Sequence, residues 1–417
     1  MLLLAVNAGC GGNTDPTPPD GPSDGAPSDA PPQAAFQTEM VLDEVWVSDL
    51  RLAAGGSDSV AIAFRTPAGG TVPCAETMPP GDSPAQAIRL AVEAGAAWEV
   101  SDVGTTGPGD GLDVLWDDAD VLVVFQGGAS GQRVCAPSDL VVARRSASFA
   151  PQTLVATSGE AASADPYSVS GDVVGGFPAA ALVGSDLVVA YGDTHFGYTR
   201  DDFERSDLEV YRGGAPEVVE TANGAGTHNA IASGTGGAIW VGFASQSGMQ
   251  SRAGVWLAAF DGSLWASARV LETAEDTAIG VAADGDEPWI AFFEGEEEDL
   301  VAATPSETGF LVERVDRRHV TGQYADLVAS GGRLAVSYYY CGRGPRTDCD
   351  PDEDSLRWAV RDPGGWRVED VDRGGDGERC GLHTSIGTRA DGRVVIAYAC
   401  QQQGAATGRL MLAEELP

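Results

Sequence analysis

Four histidines occur in this chain, and two of them stand in matching surroundings. His228 opens His228-Asn-Ala-Ile-Ala-Ser233, and His383 opens His383-Thr-Ser-Ile-Gly-Thr388. When the surrounding phrases are superimposed, Asp276, Tyr324, Phe177 and Asp49 fall at the same position. One repeated position thus carries imidazole, phenol, phenyl and carboxylate groups. Such a set can hold a polar ligand by hydrogen bonds and ring contacts. His195 and Tyr198, followed by Arg200-Asp-Asp-Phe-Glu-Arg205, form a further candidate that mixes charge with aromatic surface.

Two other groups could do chemistry. Asp348, Asp350, Asp352 and Asp354 place carboxylates at alternate residues, as a hard cation such as Ca²⁺ requires. The EF-hand order is not met, because Glu353 stands where glycine is needed, and a solvated acidic loop is the simpler reading. The cysteines number seven. Cys10 stands alone near the start, and of the roughly fifteen ways to pair the remaining six, Cys74–Cys135, Cys341–Cys349 and Cys380–Cys400 is the expected set. There is no nucleophile elbow, zinc motif, phosphate loop or cofactor fingerprint, so no catalytic residue and no certain cofactor is assigned. The expected role is non-catalytic binding or scaffolding of a protein, peptide or glycan. The alternative is a glycan-active hydrolase or lyase that uses acidic residues such as Asp276 or Asp49.

These residues are placed by a repeat. The phrase runs from a small-residue strand through a tight turn to a strand ending in an aromatic, as in His383-Thr-Ser-Ile-Gly-Thr-Arg-Ala-Asp-Gly-Arg-Val-Val-Ile-Ala-Tyr398. It recurs from His228 to Phe243, Asp276 to Phe293 and Tyr324 to Tyr339, with weaker copies ending at Phe64, Phe125 and Tyr191. A Leu-x-x-Ala strand follows, at Leu90, Leu140, Leu208, Val255, Leu300, Leu356 and Leu410. A fourth strand usually comes next, as in Trp98-Glu-Val, Phe310-Leu-Val and Trp366-Arg-Val. Four strands per repeat, designated a to d, predict an all-β, seven-bladed β-propeller, with six or eight blades left open. The last repeat ends after strand c, and the spare segment Phe36–Val45 is expected to supply its missing strand and close the ring. The b–c loops, at 65–87, 126–137, 192–205 and 341–354, then share one face with the repeated His, Asp and Tyr positions, at the mouth of the channel.

Charge and termini define the address. A net charge of −37 with no lysine disfavours nucleic acid and anionic bilayers as surface partners, since phosphate contacts need clustered cations. The start, Met1-Leu-Leu-Leu-Ala-Val-Asn-Ala-Gly-Cys10, resembles the end of a bacterial lipoprotein signal, and that resemblance implies lipidation at Cys10. Residues 11–35, rich in Pro, Asp and Gly, read as a disordered tether, and 36–417 as the propeller domain. The implied location is the outer membrane, facing the periplasm or the cell surface, with membrane contact only through the lipid. The phrase ending Ala-Asp-Gly-Arg-Val-Val-Ile-Ala-Tyr398, followed by Leu-x-x-Ala, resembles myxobacterial-type propeller lipoproteins of the sialidase-like superfamily, and the Ser-x-Asp-x-Gly-x-x-Trp box of true sialidases does not occur in it. That likeness implies a fold and leaves the activity open.

Overall fold

A computed structural model of the chain describes residues 35–417 apart from 56–57, 75–80, 107–110, 129–137, 147–148, 157–172, 195–205, 222–223, 246–252, 274–277, 343–348, 376 and 403. Side chains at 70–85, 106 and 128 are also outside the description.

The described residues form strands joined by turns. A strand β1 (Phe36–Val45) precedes β2 (Asp49–Ala54), β3 (Val60–Cys74), β4 (Gly81–Ala94) and β5 (Ala97–Thr106). Next come β6 (Leu112–Asp117), β7 (Asp120–Gly128), β8 (Ser138–Arg145) and β9 (Phe149–Val155). They are followed by β10 (Val173–Val183), β11 (Asp186–Thr194), β12 (Ser206–Arg212) and β13 (Ala215–Glu220). Then β14 (Thr227–Ser233), β15 (Ile239–Ser245), β16 (Gly254–Phe260) and β17 (Trp265–Leu271) follow. After them lie β18 (Ile279–Asp284), β19 (Glu287–Glu294), β20 (Asp299–Ser306) and β21 (Gly309–Asp316). The chain continues through β22 (Val320–Ser330), β23 (Arg333–Cys341), β24 (Ser355–Asp362) and β25 (Gly365–Asp372). It ends with β26 (Glu378–Thr388), β27 (Val394–Gln402) and β28 (Gly408–Glu415).

Neighbouring strands pair antiparallel within each group. The groups β6–β9 and β10–β13 also touch through one parallel pairing, Val173 with Ser138. The last group is completed by β1, which lies against β28 with Phe36 opposite Glu415, Met40 opposite Met411 and Leu42 opposite Leu410. First strands then pack on one another in chain order: β2 on β6, β6 on β10, β10 on β14, β14 on β18, β18 on β22, β22 on β26, and β26 on β2. This is a β-propeller organisation.

Composition explains the layering. Second strands such as β15 (IWVGFAS) and β27 (VVIAYACQQ) are buried almost throughout, because a neighbouring sheet covers each face. Fourth strands such as β17 and β25 alternate between exposed and partly buried residues, as an outer edge should. The core lies between sheets. Val41, Leu410 and Leu412 of the last group pack with Leu50, Ile62 and Phe64 of the β2–β5 group. Two expectations need correction here. The segment 65–87 is largely strand, paired from Pro67–Gln86 to Cys74–Gly81, since its alternating small and polar residues let a long hairpin extend past the sheet. The third strand of that group aligns with the others from Ile88 rather than Leu90, because its bulge falls between Ile88 and Arg89.

Candidate functional site

The repeated position singled out from the sequence has an unusual backbone. Phe177, His228, Tyr324 and His383 have φ values of 49°, 50°, 56° and 53°, in the left-handed region. Each sits in a bulge where two residues oppose one: Phe177 and Pro178 against Tyr191, His228 and Asn229 against Phe243, Tyr324 and Ala325 against Tyr338, His383 and Thr384 against Tyr398. The opposing aromatics are fully buried. Bulky side chains in this region cost about 1–2 kcal/mol each. A glycine stands two residues before each of them. A Cβ on Gly381 would lie 2.7 Å from the Leu356 Cα, and one on Gly226 2.7 Å from the Asp207 carbonyl oxygen. The close seating of each sheet on its predecessor therefore needs glycine there. Asp49, placed at the same position from sequence, instead lies in regular pairing opposite Arg65. No second residue is squeezed in at that point, so the left-handed turn is not required.

The bulges bring side chains of adjacent sheets together. The Phe177 and His228 rings lie 4.6 Å apart, and those of Tyr324 and His383 4.5 Å. Burial pushes the His383 imidazole down to about 4, against the raising effect of Asp49 and with smaller lowering effects of Arg51 and Arg65. At neutral pH it is therefore an uncharged donor and acceptor. Burial, then the charge of Asp49, raises the Tyr324 phenol above its usual range, so it too stays neutral. Tyr324 also lies against Tyr339, at 6.3 Å between ring centroids. The Tyr339 hydroxyl donates to buried Asp354, as does the Gly342 amide at 2.7 Å, and Arg379 stands 3.5 Å from the same carboxylate.

Two residues beyond this cluster along each first strand, a second set of positions shares one register, and sequence reading missed it. Arg51, Asp113, Asp326 and Ser385 lie opposite Ala63, Val124, Ser337 and Ala397 of their respective second strands. Asp113 accepts from its own neighbour Val114 N at 2.8 Å and from Ala180 N of the next sheet at 2.6 Å. Asp326 does the same with Leu327 N at 2.9 Å and Ile386 N at 3.1 Å, and accepts from Ser385 Oγ at 2.8 Å. The Ser385 oxygen in turn accepts from Leu52 N at 3.1 Å. These groups tie one inner strand to the next. Burial raises Asp113 to about 6, despite its amide donors and the nearby Arg51 charge. Arg51 lies 3.8 Å from Asp49 and donates to the Leu50 carbonyl at 3.0 Å. The available signal was an offset of two residues from the repeated position, as in Tyr324 to Asp326 and His383 to Ser385.

The remaining candidates are placed as follows. Cys341 and Cys349 form a disulfide, as do Cys380 and Cys400, which face one another across β26 and β27. Cys135 lies outside the described residues, as does the side chain of Cys74. Asp276, His195, Tyr198, Asp348 and Cys10 also lie outside them. In the acidic loop Asp354 is buried against Tyr339 and Gly342, while Asp352 is exposed. Asp350 accepts from the Asp352 amide at 3.1 Å.

No known protein-family model matches the chain, and no curated protein sequence matches it. Solved structures of similar backbone course exist. A protein of unknown function from Dyadobacter fermentans is 12% identical over 91% of this chain and 99% of its own, with a TM-score of 0.48. A sialidase from Streptococcus pneumoniae is 9% identical over 94% of this chain and 71% of its own, with a TM-score of 0.47. A lectin from Aleuria aurantia, in complex with a fucosylated sugar, is 13% identical over 80% of this chain and 99% of its own, with a TM-score of 0.44.

Proposed function

We propose that this chain is a lipid-anchored, seven-bladed propeller of the bacterial envelope that binds a neutral, ring-bearing polar ligand, a glycan or a peptide, at its channel mouth without transforming it. The observation that carries the binding role is the fourfold retention of a strained left-handed backbone at Phe177, His228, Tyr324 and His383. Backbone strain kept at equivalent positions, on residues that present rings and polar atoms, is the usual mark of a binding surface. Neutral Tyr324 and His383, packed ring to ring beside Asp49 and Arg51, suit hydroxyl or amide groups on an otherwise flat ligand.

Seven blades are supported by the chain-order packing of first strands from β2 round to β26 and back, and by β1 completing the last sheet. The eight-stranded sheet then counts as two blades joined at one pairing. Among the described residues binding is favoured over hydrolysis because Asp113 and Asp326 are each committed to two backbone amides and Asp49 lies beside Arg51. A glycosidase needs a pair of carboxyl groups free to face the scissile bond.

Glycan and peptide arrays probed with the whole protein test this reading. Tyr324→Ala and His383→Ala are each expected to weaken the captured ligand by about tenfold or more, as loss of a central aromatic contact does. Binding indifferent to both changes, or release of a cleaved product, would overturn it. The anchor is tested separately, by fractionation. Cys10→Ser should move the protein from the membrane fraction to the soluble fraction, and an unchanged distribution would remove the lipid from the proposal.

A further inference from the structure

At the other end of the sheets, an aromatic side chain closes the cleft between each sheet and its predecessor, with one exception. Its place can be counted from the bulge residue of the third strand: Ile88, Leu140, Val255, Leu300, Leu356 and Leu410. The fifth residue onward faces Trp98, Phe149, Trp265, Phe310, Trp366 and Phe36 respectively. Where the residue is tryptophan, its indole N–H donates to a glutamate of the preceding sheet: Trp98 to Glu39 at 3.2 Å, Trp265 to Glu217 at 3.1 Å and Trp366 to Glu313 at 2.7 Å. Those glutamates themselves share one register, opposite Leu412, Val210 and Ala302, the second residue after the bulge.

The β10–β13 sheet breaks the rule. Counted from Leu208, the fifth residue is Gly213, and the hairpin has already turned: Arg212 faces Ala215, with Gly213 and Gly214 as the turn. No aromatic can stand there. In the preceding sheet, the glutamate register is held by Gln152, opposite Val142. At this cleft lies an open cavity of about 450 Å³, lined by Leu122, Leu154, Leu182, Leu187 and Tyr211 on the apolar side and by Gln152, Asp117, Asp186 and the two turn glycines on the polar side. Arg144 at its edge is held by Asp117 at 2.6 Å and Asp120 at 3.0 Å, so it does not fill the space.

We propose that this cleft is a binding site for a flat aromatic molecule carrying a ring N–H or O–H, which occupies the place of the missing tryptophan and donates to the Gln152 amide oxygen. The leucines and Tyr211 supply ring contacts that the other clefts obtain from their own chain, and a space of this size is in the range of small-ligand pockets. The site belongs to the end of the sheets where β10 turns into β11, away from Phe177 at the start of β10, and is independent of the channel mouth.

Indole and naphthalene are the probes, titrated into the whole protein by calorimetry or ligand-observed NMR. Both should bind saturably at one site. Gln152→Leu should weaken indole about fivefold and leave naphthalene unchanged, and Leu154→Trp should abolish both by filling the cleft. Tyr324→Ala should alter neither. Absence of saturable indole binding, indole binding that survives Leu154→Trp, or an equal effect of Gln152→Leu on the two probes would overturn the proposal. Should Leu154→Trp not fold, the indole-to-naphthalene comparison in Gln152→Leu decides alone.

Discussion

Removal of residues 1–45 is expected to leave a chain that does not fold cooperatively, and a synthetic peptide spanning residues 35–46 should restore the fold when added. The loss would include Phe36, Val41 and Val45, all buried, and the pairing that covers β28 from Phe36–Glu415 to Val45–Gly408. Phe36 also packs edge-on against Trp358 of the preceding sheet at 5.1 Å, and Glu39 accepts from Trp98 of the following one. Three buried apolar side chains amount to roughly 5–8 kcal/mol. That is comparable with the whole stability of an ordinary domain, about 5–15 kcal/mol, before the newly exposed edge of β28 is counted. Circular dichroism melts of the shortened chain, with and without peptide, give the result. A shortened chain that melts at the temperature of the full one would show that β1 is an ornament and that the fold does not depend on it.

The second large effect is expected at Arg357. This guanidinium is buried in β24, 3.0 Å from Asp316 at the end of β21 and 2.8 Å from Asp370 in β25. Tyr338 donates to the same Asp316 oxygen at 2.8 Å, and the Arg357 head lies over the Tyr340 ring. Burial works to raise the Asp316 carboxyl, but hydrogen bonds from Arg318 and Tyr338, with the charges of Arg318 and Arg357, hold it below the usual range. Arg357→Met would take one of two cations from buried Asp316, which keeps Arg318, and one from Asp370, which keeps Arg373, while preserving most of the side-chain volume. Breaking a buried pair outright costs about 3–5 kcal/mol, and with Arg318 still on Asp316 the expected loss is about 2–3 kcal/mol. Urea titration should show a correspondingly lower midpoint. A change under about 1 kcal/mol would mean that Asp316 and Asp370 are satisfied without Arg357.

Much of the architecture could be read along the chain because a four-stranded unit is made of neighbours in sequence. The alternation in Trp366-Arg-Val-Glu-Asp-Val and the apolar run ending in Tyr398 each follow from short-range pairing of adjacent strands. The spare segment at Phe36 could be matched to β28 because strand c of the last repeat had no partner of its own. Cys380 and Cys400 were likewise within reach of one hairpin. The repeated His, Tyr and Phe positions were visible as types, and the structure gathers Phe177 with His228 and Tyr324 with His383.

What the sequence by itself determined is therefore the repeat, its strands, the segment that completes the last sheet and the residue types at the candidate site. Only the tertiary structure decided their geometry. The left-handed bulges, the commitment of Asp113 and Asp326 to the next sheet, and the influence of Arg51 on His383 all depend on backbone that arrives from a different repeat. So does the empty place above Gly213. A turn that comes one pair early costs nothing within its own hairpin, and its consequence appears only where the neighbouring sheet, with Gln152, waits for a ring that the chain does not supply.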